Sequence, residues 1–398
     1  MVDRSGLSSQ FLAHCLPAMT AKSQLVLGIM SGTSIDGVDY ALCEVGDSGV
    51  RLCELWSVEF PSALQRRLHD AARGAANSWE VAQLHHDLGR FYAVHARRRG
   101  KRLMPQLVGL HGQTIFHNPS RNAPATLQLG EPAYLTEALG IPVVSNFRVA
   151  DLAAGGQGAP LATMFHLVVF GERGRHICVN NLGGISNVTS IDWRRGEKPD
   201  MLAFDTGPAN VLMDLAMRHF TKGRQHFDAD GDCASHGRIS EALLAEWLRH
   251  PYFRAKPPKS TGRELFGEPF FEKALKQIRQ ARLSKSDALA TLTAFTAGSL
   301  ALNYQRHLLG SPSRVILTGG GAANGTLRRM IGEQLREQGN EVIVQSSDDL
   351  GWPVQSIEPA AFALLAWLRM KGRVGNLPQT TGASRPMLLG QIIEPTPG

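Results

Sequence analysis

Two segments of this chain carry side chains that could do chemistry. The first is the apolar run Leu202–Phe204, which ends on Asp205 and is followed by a turn and a helix-like stretch. A carboxylate at the C-terminal end of a strand faces the crevice where α/β sheets bind ligands, and there it can act as a general base for water or a hydroxyl. Aspartate is also a frequent cap of turns and helices, so the residues alone leave a capping role for Asp205 equally open.

The second segment is the turn Ser31–Gly37, which reads SGTSIDG and joins two strand-like apolar runs. Asp-Gly in this position is a hairpin signal. The turn is longer than a plain hairpin requires and is rich in glycines and hydroxyls, so several N–H groups could point at one anion. An ordinary hairpin with a polar tip is the alternative.

Three more glycine-rich turns follow apparent strands, at Asp151–Pro160, Asn180–Asn187 and Gly319–Gly325. Glycines where a strand meets a helix let a phosphate or ribose approach the backbone. The chain has no GxxxxGK[ST] motif, which argues against a P-loop ATPase. Asn324 stands where a dinucleotide fingerprint needs its third glycine, which argues against a Rossmann dehydrogenase.

Two patterns that resemble metal sites fail on their spacing. The segment Asp228–Asp232 begins like a calcium loop, but its glycine falls at position four and Ile239 occupies position twelve. The histidines between residues 85 and 117 form no HExxH pattern. Neither a calcium loop nor a catalytic zinc is therefore predicted.

Alternating strand-like and helix-like segments must position these residues, and their order predicts an α/β protein. In the first half the predicted strands are 25–30, 38–45, 50–60, 107–110, 126–129 and 141–145, with helices at 63–99 and 131–139. In the second half the predicted strands are 176–181, 188–192, 201–204, 314–317 and 341–345, with helices at 210–220, 292–309, 326–338 and 359–370. Two successive sets of three strands predict two similarly built domains.

The bulk composition limits the partners. The 398 residues are 43% hydrophobic and 19% charged, as in a soluble globular protein, and no apolar run is long enough to span a membrane. The net charge is +7, but the densest basic run, 97–102, contains no aromatic residue for base stacking, so a solvated helix end is favoured over a nucleic-acid site. A mild positive field suits anionic substrates.

Residues 1–22 are predicted to be a flexible N-terminal extension; alternatively, Met19 is the true start and residues 1–18 are not translated. They lack the compact basic and apolar regions of a signal peptide. The five cysteines are scattered and include no CxxC pair, which predicts reduced thiols and a cytoplasmic protein.

Longer strings resemble known proteins. The segments GIMSGTSIDGVD, FDTGPAN and LTGGGAANGTL resemble the three nucleotide-binding segments of the actin-like ATPase and sugar kinase superfamily. Further strings resemble, in order, segments of the anhydro-N-acetylmuramic acid kinase family, over about residues 25–390: HGQTIFH, LQLGEP, FRVADLAAGGQGAPL, NLGGISN, FDTGPANVLMD and KSTGRELF.

This resemblance implies a fold and a reaction. The fold would be α/β, with two ribonuclease-H-like domains of the actin/hexokinase type around a central ATP and sugar cleft. Domain I would comprise residues 23–148 plus about 355–390, and domain II residues 149–354. The enzyme would convert 1,6-anhydro-N-acetylmuramic acid, water and ATP to N-acetylmuramate 6-phosphate and ADP, with Mg²⁺, in peptidoglycan recycling.

The resemblance also implies roles for individual residues. Asp205 would deprotonate the water that attacks C1 of the sugar. Glu358, Gln157 and Gly158 would contact the sugar, although Glu358 could instead be only the cap of the helix at 359–370. Asp36 would bind Mg²⁺ through water, or serve only the Asp-Gly turn. The nucleotide-binding residues would be Ser31, Gly32, Thr33, Ser34, Ile35, Asp36, Gly37 and Val38 for the phosphates, and Gly319, Gly320, Gly321 and Asn324 for the adenosine.

Two positions depart from the family pattern. Ala209 replaces a usual glycine after Asp205, and Asn146 replaces a usual aspartate near Arg148. The partner is expected to be a small-molecule sugar, with no nucleic acid and no membrane, and a homodimer is left open. A kinase for another amino sugar, or a non-catalytic ATP- or sugar-binding regulator of the same fold, remain alternatives.

Overall fold

The computed structural model of the protein describes residues 23–119, 122–339 and 341–396, and these form two compact units. The first unit comprises the chain up to Val169 together with the segment from Gln355 onward, and the second comprises Phe170–Val354. The predicted extension at residues 1–22 lies outside the described residues. No helix in the described part of the chain is long and apolar enough to cross a membrane.

The secondary structure alternates as the sequence predicts. The strands are β1 (Gln24–Ser31), β2 (Gly37–Gly46), β3 (Gly49–Glu59), β4 (Leu107–Asn118), β5 (Ala125–Leu129), β6 (Val143–Ser145), β7 (His176–Leu182), β8 (Ile185–Asp192), β9 (Asp200–Pro208), β10 (Arg314–Thr318), β11 (Ile343–Ser346) and β12 (Gln391–Ile393). The α-helices are α1 (Ser62–Ala72), α2 (Ser78–Leu103), α3 (Ala133–Leu139), α4 (Arg148–Ala153), α5 (Thr163–Phe170), α6 (Asn210–Phe220), α7 (Asp232–Ser235), α8 (Glu241–Trp247), α9 (Arg263–Phe266), α10 (Glu268–Gln280), α11 (Lys285–His307), α12 (Gly325–Glu337), α13 (Ile357–Met370) and α14 (Pro378–Thr381).

The first unit is built on one mixed sheet with the strand order β12-β6-β4-β1-β2-β3, and β5 pairs with β4. Strands β1, β2 and β3 form an antiparallel meander, whereas β4 is parallel to β1 and β6 is parallel to β4. Alternate residues of β1, such as Leu27 and Ile29, pack into an apolar core with helices α1 and α2.

The backbone of helix α13 packs directly against the backbones of β1 and β4. Gly28 and Gly109 are paired neighbours in these two strands. A Cβ atom at Gly28 would lie 1.8 Å from the carbonyl oxygen of Pro359, and one at Gly109 would lie 2.2 Å from that of Phe362. Only glycine therefore fits at these two positions, and the close approach fixes where the first turn of α13 lies.

The second unit has a separate five-stranded sheet with the order β11-β10-β7-β8-β9, which matches the part β6-β4-β1-β2-β3 of the first sheet. Strands β7, β8 and β9 form an antiparallel meander, and β10 runs parallel to β7 and to β11. Helix α11 is buried along most of its length and joins the sheet to α6, α8 and α12 in one apolar core. Three antiparallel strands followed by parallel strands is the ribonuclease-H-like order in both units, and the α/β class is confirmed.

One boundary differs from the predicted one. Residues 149–169, which the sequence analysis assigns to domain II, belong to the first unit. The reason is the buried carboxylate of Asp151, which accepts hydrogen bonds from Asn376 Nδ2 at 2.6 Å and Thr381 Oγ1 at 2.7 Å. These bonds attach helix α4 and its following loop to the C-terminal segment of the same unit.

Candidate active site

The turn between β1 and β2 has the hydrogen bonding that an anion site requires. Two of its carbonyl groups are occupied: Gly32 O accepts from Ile35 N at 3.2 Å and from Gln113 Nε2 at 3.0 Å, and Ile35 O accepts from Gln65 Nε2 at 3.0 Å. Within the described residues the structure records no acceptor for the N–H groups of Gly32, Thr33 and Ser34. Three successive N–H groups without a recorded acceptor can together bind an anion.

The side chains of this turn divide into two groups. Thr33, Ser34 and Asp36 are exposed, whereas Ser31 is buried and its hydroxyl lies 3.0 Å from the hydroxyl of Tyr92. Ile35 is also buried, yet its φ is +61°. A β-branched residue in this left-handed region is strained and is held there by the surrounding structure, which occurs mostly at functional sites.

Asp205 lies within β9 and not at its end, which corrects the prediction of a strand at 201–204. Strand β9 continues to Pro208, but its pairing with β8 shifts between Ser186 and Asn187, so that Asn187 opposes Asp205 and Ser186 opposes Gly207. Such a bulge bends a strand and changes the direction of a side chain. Parallel strands bring their C-terminal ends to one edge of a sheet, but β8 and β9 are antiparallel, so this rule does not explain where Asp205 lies.

The carboxylate of Asp205 is anchored by a segment from later in the chain. Its Oδ2 accepts a hydrogen bond from the backbone N–H of Thr261 at 2.9 Å. The alternative role as a helix cap is wrong, because helix α6 begins after Ala209 and no side chain caps it. Ala209 has φ −118° and ψ −109°, so its φ lies outside the left-handed region that favours glycine.

The environment of Asp205 suits a general base. Burial raises the pKa of Asp205 to about 6, the Thr261 N–H opposes this, and the nearby charge of Glu264 adds to it. A carboxylate with a pKa near 6 is ionised at neutral pH and binds a proton more strongly than an ordinary aspartate does.

Three motifs of the second unit meet around β7. A Cβ atom at Gly319 would lie 2.2 Å from Asn181 Oδ1, and one at Gly321 would lie 2.8 Å from Asn210 Oδ1. Asn210 also donates from its Nδ2 to Leu182 O at 2.9 Å. The turn after β10, the end of β7 and the start of α6 are therefore packed together, with glycine required at Gly319 and Gly321.

Asn324, predicted to line the adenosine site, has a local role as well. Its Oδ1 accepts from Leu327 N at 2.8 Å and caps helix α12. Beside it, Asp230 Oδ1 accepts from Gly325 N at 2.8 Å, and the carboxylate of Asp228 accepts from two N–H groups at the start of α7. The calcium-like DADGD segment thus serves as a set of helix caps.

The two-residue turn between β7 and β8 is a candidate that the sequence analysis named only as a glycine-rich turn. At Gly183 a Cβ atom would meet nothing closer than Ile185 O at 3.6 Å, and at Gly184 the nearest atom would be Arg263 Nη2 at 3.9 Å. Neither glycine has a positive φ. Protein packing does not require glycine at these two positions, and the bare backbone leaves room for a ligand.

The first unit holds a charged cluster at the start of α13. Glu358 lies in the first turn of this helix, which begins at Ile357, so it is not the cap that the alternative proposed. Glu358 keeps exposed surface, but the surrounding protein desolvates its carboxylate and raises its pKa. The charge of Arg148 opposes this rise, and the charge of Asp39 adds to it. Close packing of α13 on Gly28 fixes this position.

Arg148 is held by neutral partners. Its Nε and Nη2 lie 3.1 and 2.9 Å from His111 Nε2, and its Nη1 donates to Gly158 O at 2.7 Å. His111 Nδ1 lies 2.7 Å from Gly112 O. Burial, together with the Arg148 charge, holds the pKa of His111 well below its usual range, so this ring is neutral. Burial also lowers the pKa of Arg148 to about 10.

Gln157 and Gly158 lie on the loop that Asp151 organises. Gly158 N donates to Asp151 Oδ2 at 2.7 Å, and Gln157 N donates to Thr381 O at 2.8 Å. Gln157 itself is exposed. Within the first unit, Glu358, Arg148 and Gly158 are therefore parts of one connected region.

No group of three or more His, Cys, Asp or Glu side chains in the described part of the chain could hold a metal ion. Asp36, the predicted magnesium residue, has an exposed carboxylate on the β1–β2 turn. The residues present thus fit a cation that phosphates carry and do not form a cage of their own.

Comparison with known proteins agrees with the resemblance found in the motifs. The profile of the anhydro-N-acetylmuramic acid kinase family matches residues 24–395. Proteins named anhydro-N-acetylmuramic acid kinase from Acaryochloris marina and Caldanaerobacter subterraneus subsp. tengcongensis are 42% and 37% identical to this chain; the alignments cover 92% and 93% of it, and 99% and 97% of those proteins.

Solved structures are more distant. Component A of (R)-2-hydroxyglutaryl-CoA dehydratase from Acidaminococcus fermentans has a TM-score of 0.45 at 12% identity, covering 88% of this chain and all of that one. A ROK hexokinase from Thermus thermophilus has a TM-score of 0.36 at 16% identity, covering 87% and 99%. These scores support no argument about function. The sequence relationship is decisive: the chain belongs to the anhydro-N-acetylmuramic acid kinase family.

Proposed function

We propose that this protein is an ATP-dependent kinase that converts 1,6-anhydro-N-acetylmuramic acid and water to N-acetylmuramate 6-phosphate, releasing ADP, in the recycling of cell-wall peptidoglycan. Family membership supports the substrate. The observation that carries the chemistry is Asp205, a largely buried carboxylate with a raised pKa and only one of its oxygens hydrogen-bonded within the described residues.

Asp205 acts as the general base in this proposal. Its carboxylate takes a proton from a water molecule as the water oxygen forms a bond to C1 of the sugar. The bond between C1 and the bridging oxygen breaks, and that oxygen, still attached to C6, attacks the γ-phosphorus of ATP. The bond between the γ-phosphorus and the β,γ-bridging oxygen breaks, ADP leaves, and the proton remains on Asp205. General-base catalysis of this kind typically contributes a factor of roughly 10²–10⁴.

The two glycine-containing hairpin turns are assigned to the phosphates of ATP. The β1–β2 turn offers the unoccupied N–H groups of Gly32, Thr33 and Ser34, and the β7–β8 turn offers the uncrowded backbone of Gly183 and Gly184. Such turns bind phosphate oxygens through backbone dipoles. Mg²⁺, when bound, would neutralise the charge that develops on the phosphates, and Asp36 is assigned to hold it through water.

The adenosine is assigned to the turn at Gly319, Gly320, Gly321 and Asn324. Gly320 is the least crowded of the three glycines, since a Cβ atom there would meet only Asn210 Nδ2 at 3.9 Å. The sugar is assigned to Glu358 and the loop at Gln157 and Gly158, beside the positive charge of Arg148.

The reaction is assigned to the cytoplasm. The described cysteines, at positions 43, 53, 178 and 233, are all free thiols, which suits a reducing compartment. The homodimer stays a prediction, as does the absence of a nucleic-acid partner. In the basic run, Arg99 and Arg102 pair with Glu54 at 2.8 and 3.3 Å.

The test is a product assay with the purified protein, Mg-ATP and the anhydro sugar, read by mass spectrometry and ³¹P NMR. We expect one N-acetylmuramate 6-phosphate for each ADP. Turnover with N-acetylglucosamine or N-acetylmannosamine, and none with the anhydro sugar, would assign a different amino sugar. ATP or sugar binding without turnover of any sugar would favour the non-catalytic regulator.

A further inference from the structure

The backbone of Asp205 is part of a ring of three hydrogen bonds with Tyr252 and with Lys259, the first residue of the KSTGRELF string. Asp205 N donates to Lys259 O at 3.2 Å. The Lys259 ammonium donates to Tyr252 O at 3.3 Å, and the Tyr252 hydroxyl donates back to Asp205 O at 2.6 Å. The ring joins β9 to a segment that begins more than forty residues later in the chain.

The Lys259 side chain is held by an unusual set of partners. The ammonium lies 4.7 Å from the centre of the Tyr252 ring and 5.7 Å from that of Phe204, distances at which a cation is attracted to an aromatic face. It also lies 3.3 Å from His307 Nε2, and within the described residues no carboxylate pairs with it. Burial, with the charge of Arg306, lowers the pKa of Lys259 to about 8.

The ring has a direct consequence for the carboxylate. Lys259 and Thr261 lie in one short segment, so the contact between Lys259 O and Asp205 N sets the distance at which Thr261 N reaches Asp205 Oδ2. The other carboxylate oxygen, Oδ1, accepts no hydrogen bond from the described residues. One oxygen is thus fixed, and the other is left to accept a proton.

We propose that Tyr252 and Lys259 are positioning residues for the reaction: they hold the segment Lys259–Thr261 against β9 so that Thr261 N–H fixes the orientation of the Asp205 carboxylate. This inference rests on the proposed function only for the identity of the reaction. The ring itself makes a separate claim about the ionisation of Asp205.

Two other roles for Lys259 predict different results. If its ammonium bound ATP or the sugar, its removal would raise the KM of that ligand and leave kcat nearly unchanged. If it only supported the fold, the loss of activity would follow the loss of folded protein, and the pKa of Asp205 in the folded fraction would not move. A positioning role lowers kcat, keeps both KM values and raises the pKa of Asp205, because the Thr261 N–H bond that lowers it is weakened.

The test uses Y252F and K259M in the full-length protein, since both substitutions keep most of the side-chain volume. We expect kcat to fall by about 10- to 100-fold, as for a small misplacement of a reacting group. KM for ATP and for the sugar should stay within about twofold. The pKa of Asp205, measured by ¹³C NMR of aspartate-labelled protein and assigned with D205N, should rise by about one unit, the free-energy equivalent of a modest hydrogen bond.

Two further variants make the result specific. K259R can still donate a hydrogen bond to Tyr252 O. On a logarithmic scale, its kcat should therefore lie at least halfway from the K259M value back to the wild-type value. K256M changes an exposed lysine three positions earlier and should resemble the wild type. An unchanged kcat and an unchanged Asp205 pKa in both Y252F and K259M would overturn the inference. A wild-type protein that fails to phosphorylate the anhydro sugar would refute the proposed function, whereas the NMR titration would still decide this inference.

Discussion

Replacing Asp205 by asparagine should remove activity and, at the same time, stabilise the protein. Burial raises the pKa of this carboxylate from 3.8 to about 6 in the folded state. The folded state therefore holds the proton more tightly than the unfolded state, and folding becomes less favourable as the pH rises from about 4 to about 6. Above pH 6 the cost is fully present, and below pH 4 it is absent.

The size of this cost follows from the shift. A shift of about two units corresponds to about 3 kcal/mol, and because Asp205 keeps some exposed surface, solvent screening reduces it to an expected 1–3 kcal/mol. Asparagine is neutral at all these pH values, and its side-chain oxygen can still accept from Thr261 N. D205N should therefore be more stable than the wild type by about 1–3 kcal/mol at pH 7.5, and by roughly one third of that at pH 4.5.

The assay is urea unfolding of both proteins at pH 4.5 and 7.5, together with turnover at pH 7.5. Turnover should fall by about 10²–10⁴-fold. The matched control is D200N, which removes an exposed carboxylate from the same strand and should change stability by less than about 0.5 kcal/mol. A D205N variant that is no more stable at pH 7.5, or whose stability difference does not depend on pH, would show that the charged Asp205 carboxylate does not destabilise the folded state, and near-normal turnover would refute the role of Asp205 as base.

Three further predictions concern the surroundings of the site. E264Q removes a charge that raises the pKa of Asp205, so the acidic limb of the kcat/KM profile, expected near pH 6, should move to lower pH by a few tenths of a unit; a limb that stays or moves upward would contradict this. G28A should cost more than about 3 kcal/mol in urea unfolding, because a Cβ atom there would lie 1.8 Å from Pro359 O and helix α13 would have to move. G183A should leave the urea midpoint within error, since a Cβ atom fits at that turn, but should raise KM for ATP about tenfold or more; an unchanged KM would exclude this turn from the phosphate site.

The sequence predicts local structure well where the signal is local. The apolar runs on either side of the Ser31–Gly37 turn are strands β1 and β2, and the glycine-rich turn after 314–317 does connect a strand to a helix. The predicted single helical region at 63–99 is two helices, because the chain turns between Ala72 and Ser78.

The arrangement around Asp205 could not be predicted from local patterns. The bulge that directs its side chain depends on the register between β8 and β9, and Thr261, which fixes its carboxylate, comes from a distant segment. The position of Glu358 depends in the same way on Gly28, whose lack of a side chain becomes meaningful only when α13 is packed against it. The roles of the nucleotide- and sugar-binding residues stay predictions that the experiments above test.

The most direct test of the proposed mechanism is to follow the oxygen of the attacking water. In H₂¹⁸O with Mg-ATP and 1,6-anhydro-N-acetylmuramic acid, we expect one ¹⁸O atom in each early product molecule, located at C1, and none in the phosphate, because the oxygen that receives phosphorus comes from the anhydro bridge. Unlabelled N-acetylmuramate 6-phosphate kept in the same water corrects for spontaneous exchange at C1. Label in the phosphate group, or label at C1 that does not exceed this background, would contradict the claim that Asp205 directs water to C1.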